Sequence, residues 1–309
     1  MGCNAFWQPM NSYSNSLSVE RAQPWLGTLV SIRIEGLPVP QAHRAIDAAF
    51  KEIAVVHRRM SFHDADSDVG QLNRNRTRRP VTVHPYTFEV LQWAMRLSSF
   101  SNGCFDISVA AELVDWQLLP RPAGAEHVPR GSWRDIELLP DCQVVFHRPL
   151  WIDLGGIAKG FAVDRATERL RACGALHTVV NAGGDIRVQG KSAAMIRLGA
   201  ESSTHAMPVL ELADGSVAGS SSQRQWRCDA GLPCSPHVDG IQRSPAPTDR
   251  FVCVVAKQCV VADALTKVVM AQGQDSVRTL RQFGASAHLY ASPGVWRHLE
   301  PDERGAETE

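Results

Sequence analysis

The segment from Ile152 to Gly190, IDLGGIAKGFAVDRATERLRACGALHTVVNAGGDIRVQG, constrains this chain more than any other. A short apolar run ends in Asp153, turns through Gly155 and Gly156, and enters a helix whose apolar positions Ala158, Phe161, Ala162, Ala166, Leu170 and Cys173 recur at helical spacing. Gly174 closes that helix, and His177 to Asn181 form a second strand ending in Gly183 and Gly184, with Asp185 directly after. Strand, glycine turn and helix start present main-chain N–H groups and the positive end of a helix dipole, an arrangement that receives anions. Gly155, Gly156 and Gly160 let a diphosphate approach the backbone, and Lys159 adds a charge. The spacing is neither the GxxxxGK(S/T) of a Walker A loop nor the GxGxxG of a dinucleotide fingerprint. Packing alone explains a glycine turn before a helix, and a bulge or tight turn explains a glycine pair. Two such turns close in sequence, each beside a carboxylate, point to a shared polar pocket.

Around this centre the periodicities alternate. Val30, Ile32 and Ile34 lie between Leu29, Ser31, Arg33 and Glu35, predicting a half-buried strand opened by Gly27 and ended by Pro38 and Pro40. Ala45, Ala48, Ala49, Ile53 and Val56 predict an amphipathic helix over 41–59, followed by an Asp- and Asn-rich loop over 64–75. Phe88, Leu91 and Met95 mark a helix over 85–99, with Pro85 in its first turn and Asn102 and Gly103 as its stop. Residues 120–135 read as an aperiodic surface excursion and 136–152 as hairpin-like; a strand at 252–256 and a helix from about 262 to 272 follow. Residues 1–24 read as a flexible polar leader, 25–299 as one domain or two joined lobes, and 300–309 as a polar tail.

Composition excludes several function classes. Of 309 residues 44% are hydrophobic, enough for a sizeable core, and Lys plus Arg equal Asp plus Glu at 32 each, so no broad field favours nucleic acid. The first residues lack a basic stretch followed by an apolar run, Cys3 lacks the apolar segment that precedes a lipidated cysteine, and no stretch approaches the roughly 20 apolar residues of a membrane span. The expectation is a cytoplasmic protein. The eight cysteines form no CxxC pair and read as buried thiols; Cys228, Cys234 and His237 group together, with a spacing that fits no common zinc pattern.

DLGGIAKGFAVDRA together with NAGGDIRVQG resembles the central signature of the ApbE family, the FAD:protein FMN transferases. Further stretches match in order: LGT at 26–28, MSFHDADSDVGQLN at 60–73, NGCFDISVA at 102–110, SVAGSSSQRQW at 216–226 and ADALTK at 262–267. The resemblance implies a mixed α/β fold, with strands and packed helices around an extended FAD pocket and Mg²⁺ near the diphosphate. It implies transfer of FMN from FAD to a Ser or Thr hydroxyl of a target flavoprotein through a phosphoester, releasing AMP. FAD pyrophosphatase activity and non-catalytic flavin binding are the alternatives.

Carried onto this sequence, the family pattern places cofactor contacts at Leu26, His63, Cys104, Phe105, Asp106, Asp153 and Lys159. It places metal positions at the Gly156 carbonyl, Asp263 and Lys267, and catalytic positions at His237 and Asp263. Several positions depart from the pattern. Leu26 stands for the usual Met and His63 for an aromatic that stacks on the flavin. Gly219, Ser220 and Ser221 stand for a TSG core and read as a small polar turn. The HIIDPRTG segment survives only as SPHVDGIQRSP, where His237 and Asp239 are the nearest counterparts. Lys267 occupies the place of a Thr; an ammonium cannot ligate Mg²⁺, but one helical turn from Asp263 it can pair with that carboxylate. Without the family pattern, Asp106 and Asp263 read as helix caps.

Overall fold

A computed structural model describes residues 18–75, 78–122, 130–199, 208–221, 227–229, 232–291 and 295–300, with the backbone alone at 227–229 and 232–233. The leader up to residue 17, the tail from 301, and parts of the excursions at 123–129 and 222–226 lie outside the described residues.

The frame is an eight-stranded sheet whose strands lie side by side in chain order, each antiparallel to the next. They are β1 (Ser18–Trp25), β2 (Thr28–Glu35), β3 (His177–Ala182), β4 (Asp185–Gln189), β5 (Gly215–Ser221), β6 (Phe251–Ala256), β7 (Ser286–Ala291) and β8 (Val295–Leu299). Residues 18–24, assigned to the leader by sequence reading, thus belong to an edge strand. No side chain of β1 is fully buried, so it carries no apolar alternation to betray it. Leu26 and Gly27, at φ 56° and 73°, make the two-residue hairpin turn that joins it to β2.

Between β2 and β3 the chain inserts α1 (Val39–Met60), α2 (Asp68–Arg74), α3 (Pro85–Phe100), α4 (Ala110–Asp115) and α5 (Ala158–Ala172), with a small three-stranded sheet over 81–146. Pro38 and Pro40 open α1 as well as ending β2, because proline fits the first helical turn. The expected loop at 64–75 contains α2: the Ser67 hydroxyl accepts from the Gly70 N–H at 2.9 Å, which starts a helix too short for its period to show. After β6 come α6 (Cys259–Gln272) and α7 (Val277–Gln282).

Helices α1, α5 and α6 cover one face of the sheet, where Val30, Ile32, Val180, Ala182, Ala218, Val252 and Val254 join their apolar faces in one core. The other face buries Val179, Ile186, Val188, Val217, Phe251 and Cys253 under a hairpin formed by 194–197 and 209–212. On the helix-facing side, β4 and β5 bring polar residues into the layer. Asp185, Arg187, Ser216 and Ser220 alternate with the apolar residues of the other face, and each meets a partner on α5, on α6 or across the sheet. This interruption of the core is where the site lies. No described helix is long and apolar enough to cross a membrane.

Candidate active site

Helix α5 approaches α6 so closely that Gly160 has no room for a side chain. A Cβ there would fall inside the van der Waals shell of the Cys259 carbonyl oxygen and 2.8 Å from Asp263 Cβ. The sequence reading gave this glycine to an approaching diphosphate; the structure gives it to the helix crossing. The contact is reinforced twice. Asp164 of α5 accepts from the Cys259 and Val260 amides at 3.0 and 2.9 Å, capping α6 from a neighbouring helix, and the Gly160 amide donates to Asp263 Oδ2 at 3.0 Å. Helix α6 therefore begins at Cys259 rather than near 262, and Asp263 lies past its first turn. Asp263 caps no helix of its own and serves α5 instead.

The segment before the glycine turn is not a strand. Asn73 takes the place of a strand partner, donating to the Ile152 carbonyl at 2.9 Å and accepting from its amide at 2.8 Å, while the Asp153 amide donates to the Ile107 carbonyl. The amides at the start of α5 are largely occupied as well. Those of Ile157 and Ala158 donate to the Leu154 carbonyl, that of Gly160 to Asp263 and that of Gly155 to the Asp153 carboxylate, and Gly155 and Gly156 line a cleft.

That cleft is lined by two unlike sets of residues. One is apolar, formed by Phe105, Ile107, Val109, Leu113, Leu118 and Leu119. The other carries Asp153, Lys159, Ser220, Ser221, His237 and Lys267. Gly219, Ser220 and Ser221, expected as a turn, are the last residues of β5. The two lysines belong to a buried network. Lys159 Nζ pairs with Asp185 Oδ2 and lies 3.6 Å from Asp263 Oδ1; Lys267 Nζ donates to Asp263 Oδ1 at 2.6 Å. Asp263 is wholly buried, with Asp185 2% exposed, whereas Lys159 keeps 30% of its side chain accessible. The carboxylates thus lie buried, Asp185 on the sheet and Asp263 on α6, with the lysines between them and the cleft.

Burial opposes ionisation of Asp263, but the charges of Lys159 and then Lys267 outweigh it and hold the carboxyl at about 2. Asp185 is pushed up to about 6, first by burial and next by the Asp263 charge beside it. Lys159 is itself pushed up: burial works against its charge, and Asp185 and Asp263 prevail. His237 is held down to about 3, chiefly by burial and then by the charge of Lys267, so its imidazole is neutral at physiological pH. Its ring is hydrogen bonded to the Ser221 backbone, and its Nδ1 has no partner among the described residues.

Cys104, Phe105, Asp106, Asp153, Gly156, Lys159, His237 and Lys267 all line the cleft, with Asp263 directly behind the lysines. Two expected contacts are not among the lining residues, although His63 is close enough for its charge to act on Asp153. His63 lines a neighbouring groove that shares only Leu118 and Leu119 with the cleft, and Leu26 occupies the β1–β2 turn and packs on the core. Burial pushes the Cys104 thiol up to about 12, which leaves it without thiolate chemistry. Asp106 does act as a cap, accepting from the Ser108 amide at 2.8 Å, and it also accepts from Arg243 at 2.9 Å. Asp239 turns its carboxylate to the Ile241 and Gln242 amides and shapes a turn rather than the cleft.

Arg243, which sequence reasoning missed, ties the 236–250 excursion to the cleft lining. It donates to Asp106, the Ser108 hydroxyl and the Gly131 carbonyl, and pairs with Glu112 at 3.4 Å. Asp185, noted only as a neighbour of the glycine pair, is the carboxylate behind Lys159. The side chain of Cys228 lies outside the described residues, and among those described no group of three or more His, Cys, Asp or Glu is placed to hold a metal ion.

Mg²⁺, which the resemblance implied, does not fit this network. Both Asp263 oxygens are engaged, and Lys267 reaches the Asp263 carbonyl at 3.1 Å, the Thr266 hydroxyl at 3.0 Å and the Ser220 hydroxyl at 3.5 Å. Its methylene chain lies against Gly156, where an added Cβ would meet Cε at 3.4 Å. A divalent cation on those oxygens would face the ammonium at about 3 Å, a repulsion on the order of 10 kcal/mol even at an effective dielectric of ~20.

Sequence comparison extends beyond these motifs. The chain is 25% identical over 275 residues to the FAD:protein FMN transferase of Vibrio cholerae, covering 83% of this chain and 82% of that protein. It is 27% identical over 304 residues to the protein of that name from Treponema pallidum, covering 88% and 84%. The fold superposes on the crystal structure of the ApbE protein from Thermotoga maritima with a TM-score of 0.81 at 23% identity, over 92% of this chain and 97% of that one. The Vibrio cholerae flavin transferase ApbE gives 0.78 at 21% identity, over 92% and 96%. The ApbE family profile matches residues 26–289, from the β1–β2 turn through α5, the cleft and α6 into β7, and the chain belongs to the ApbE family.

Proposed function

We propose that this protein transfers the FMN half of FAD to a Ser or Thr hydroxyl of an acceptor flavoprotein, with AMP as the other product. The observation that carries the reading is the cleft itself, where a set of apolar side chains and two lysines line one space. FAD has the same two-part chemistry: planar apolar rings joined through a diphosphate. Relatives over most of the chain are named FAD:protein FMN transferases, which supports the same reading.

In this scheme Phe105, Ile107, Leu113 and Leu118 receive a ring system, while Gly156 and Lys159 meet the diphosphate. Asp185 and Asp263 keep Lys159 charged and fix its direction. The acceptor oxygen attacks the phosphorus of the FMN half; the bridging P–O bond breaks, and the bridging oxygen departs with AMP. The hydroxyl proton passes to His237 Nδ1, a lone pair that burial keeps unprotonated and that no described neighbour occupies. A base held at about 3 is weak in the empty cleft. The diphosphate's charge lowers the positive potential of Lys267 and Lys159 at the imidazole, so the base strengthens when nucleotide binds.

Incubating the protein with FAD and a candidate acceptor flavoprotein, then reading in-gel flavin fluorescence and AMP release, tests the reaction. Fluorescence on the acceptor with matching AMP supports transfer. AMP with no labelled protein means that water is the acceptor, and bound FAD with neither product means a flavin carrier; either result overturns the proposal. His237→Ala should abolish labelling while leaving FAD affinity within about threefold, since a base acts in the transition state.

A further inference from the structure

We propose that Lys267 is a resident cation that takes the place of a divalent metal, so that this site binds FAD and transfers FMN without Mg²⁺. The proposal rests on the flavin reading given above and is carried by the surroundings of one nitrogen atom. Four oxygens converge on Lys267 Nζ: Asp263 Oδ1 at 2.6 Å, Thr266 Oγ1 at 3.0 Å, the Asp263 carbonyl at 3.1 Å and Ser220 Oγ at 3.5 Å. They comprise a carboxylate, a main-chain carbonyl and two hydroxyls, the hard donor set that a magnesium or calcium ion selects. Here an ammonium with three N–H groups faces them.

The hydrogen-bond bookkeeping agrees. The Thr266 hydroxyl donates to the Asp263 carbonyl at 2.7 Å, so its remaining lone pairs are left to accept from Ser220, at 2.8 Å, and from Lys267. The hydroxyls are thereby oriented with oxygens toward the lysine. Lys267 also borders the cleft, beside Gly156 and among the same lining residues as Lys159. A nucleotide diphosphate in the cleft would therefore meet two tethered positive charges. Being covalently part of α6, the charge at position 267 cannot be chelated or exchanged.

The test is equilibrium FAD binding, followed by flavin fluorescence, in chelator and in saturating Mg²⁺, alongside Mn²⁺ binding by electron paramagnetic resonance with and without FAD. The wild-type protein should bind FAD equally in both conditions, within about twofold, and should hold no Mn²⁺. In Lys267→Thr, FAD affinity in chelator should fall on the order of tenfold or more, the loss of a charge-assisted contact, and Mg²⁺ should restore part of it. Wild-type FAD affinity that rises tenfold with Mg²⁺, Mn²⁺ bound at one per chain, or a Lys267→Thr protein that binds FAD normally in chelator would each overturn the proposal. The wild-type arms stand even if the variant does not fold. A wild-type protein that binds no FAD under any condition sinks the flavin reading instead.

Discussion

Beside the cleft, Lys159 is backed by Asp185 and Asp263 and keeps 30% of its side chain accessible, and Lys267 is backed by Asp263. Arg243, by contrast, gives its terminal N–H groups to Asp106, Ser108, Glu112 and Gly131. Both clusters bury carboxylates against cations, yet their cations differ in kind. Lysine is a point charge that can hold an acid behind it and still present N–H groups forward, whereas the planar fork of arginine satisfies several acceptors at once and leaves nothing over. One cluster therefore suits ligand binding and the other suits fastening an irregular excursion in place.

Four experiments can break or sharpen that contrast. Arg243→Ala should have the largest effect, since it leaves the buried Asp106 carboxylate without its cation and Glu112 with Arg130 alone, and should cost about 3–5 kcal/mol in urea denaturation. Arg243→Lys should recover only a minor part of this; full recovery would erase the distinction drawn between the two cations. Next, Gly160→Ala forces α5 and α6 apart and should cost about 1–3 kcal/mol, with FAD affinity falling alongside because the lysines separate. If stability drops and affinity does not, the helix crossing does not set the site.

Lys159→Met should invert the pattern, with a small stability cost and a large binding cost. Asp185 already stands near 6, so taking up a proton at pH 7 costs about 1–2 kcal/mol. Loss of the diphosphate contact should weaken FAD roughly 10- to 100-fold, measurable by fluorescence titration. The last effect, the smallest at neutral pH and growing only in acid, concerns His237, whose folded value lies near 3 against 6.5 when unfolded. The unfolded chain binds the extra proton between those values, so the contribution of this residue is complete above about pH 6.5 and declines as pH falls toward 3. His237→Gln should flatten the acid limb of a stability–pH curve; an unaltered limb would place its origin among the carboxylates.

Much of the frame was legible in the sequence because it obeys short periods. Helix α5 and the core strands follow their apolar spacing, and the glycine pair of NAGGD forms the β3–β4 turn with Gly183 and Gly184 at φ 66° and 104°. Lys159, Asp153 and Asp263 were found because they sit in ordered motifs. What escaped notice depends on partners far along the chain. The start of α6 was misjudged because Gln258 offers no side-chain cap; the cap comes from Asp164, 95 residues earlier. The run before the glycine turn reads as a strand, yet its pairing is supplied by the side chain of Asn73, 79 residues away. Arg243 lies in an aperiodic stretch, and its role exists only because the fold carries it to Asp106, 137 residues distant.

The double tie between α5 and α6, through Asp164 to the Cys259 and Val260 amides and through Gly160 to Asp263, fixes more than helix geometry. It sets the separation of two like charges before any nucleotide arrives, against their mutual repulsion, within elements too firmly docked to relax. The reorganisation that water or a loose side chain would undergo as phosphate charge shifts has then already been completed at folding. A site so preorganised would contribute to rate as well as to affinity.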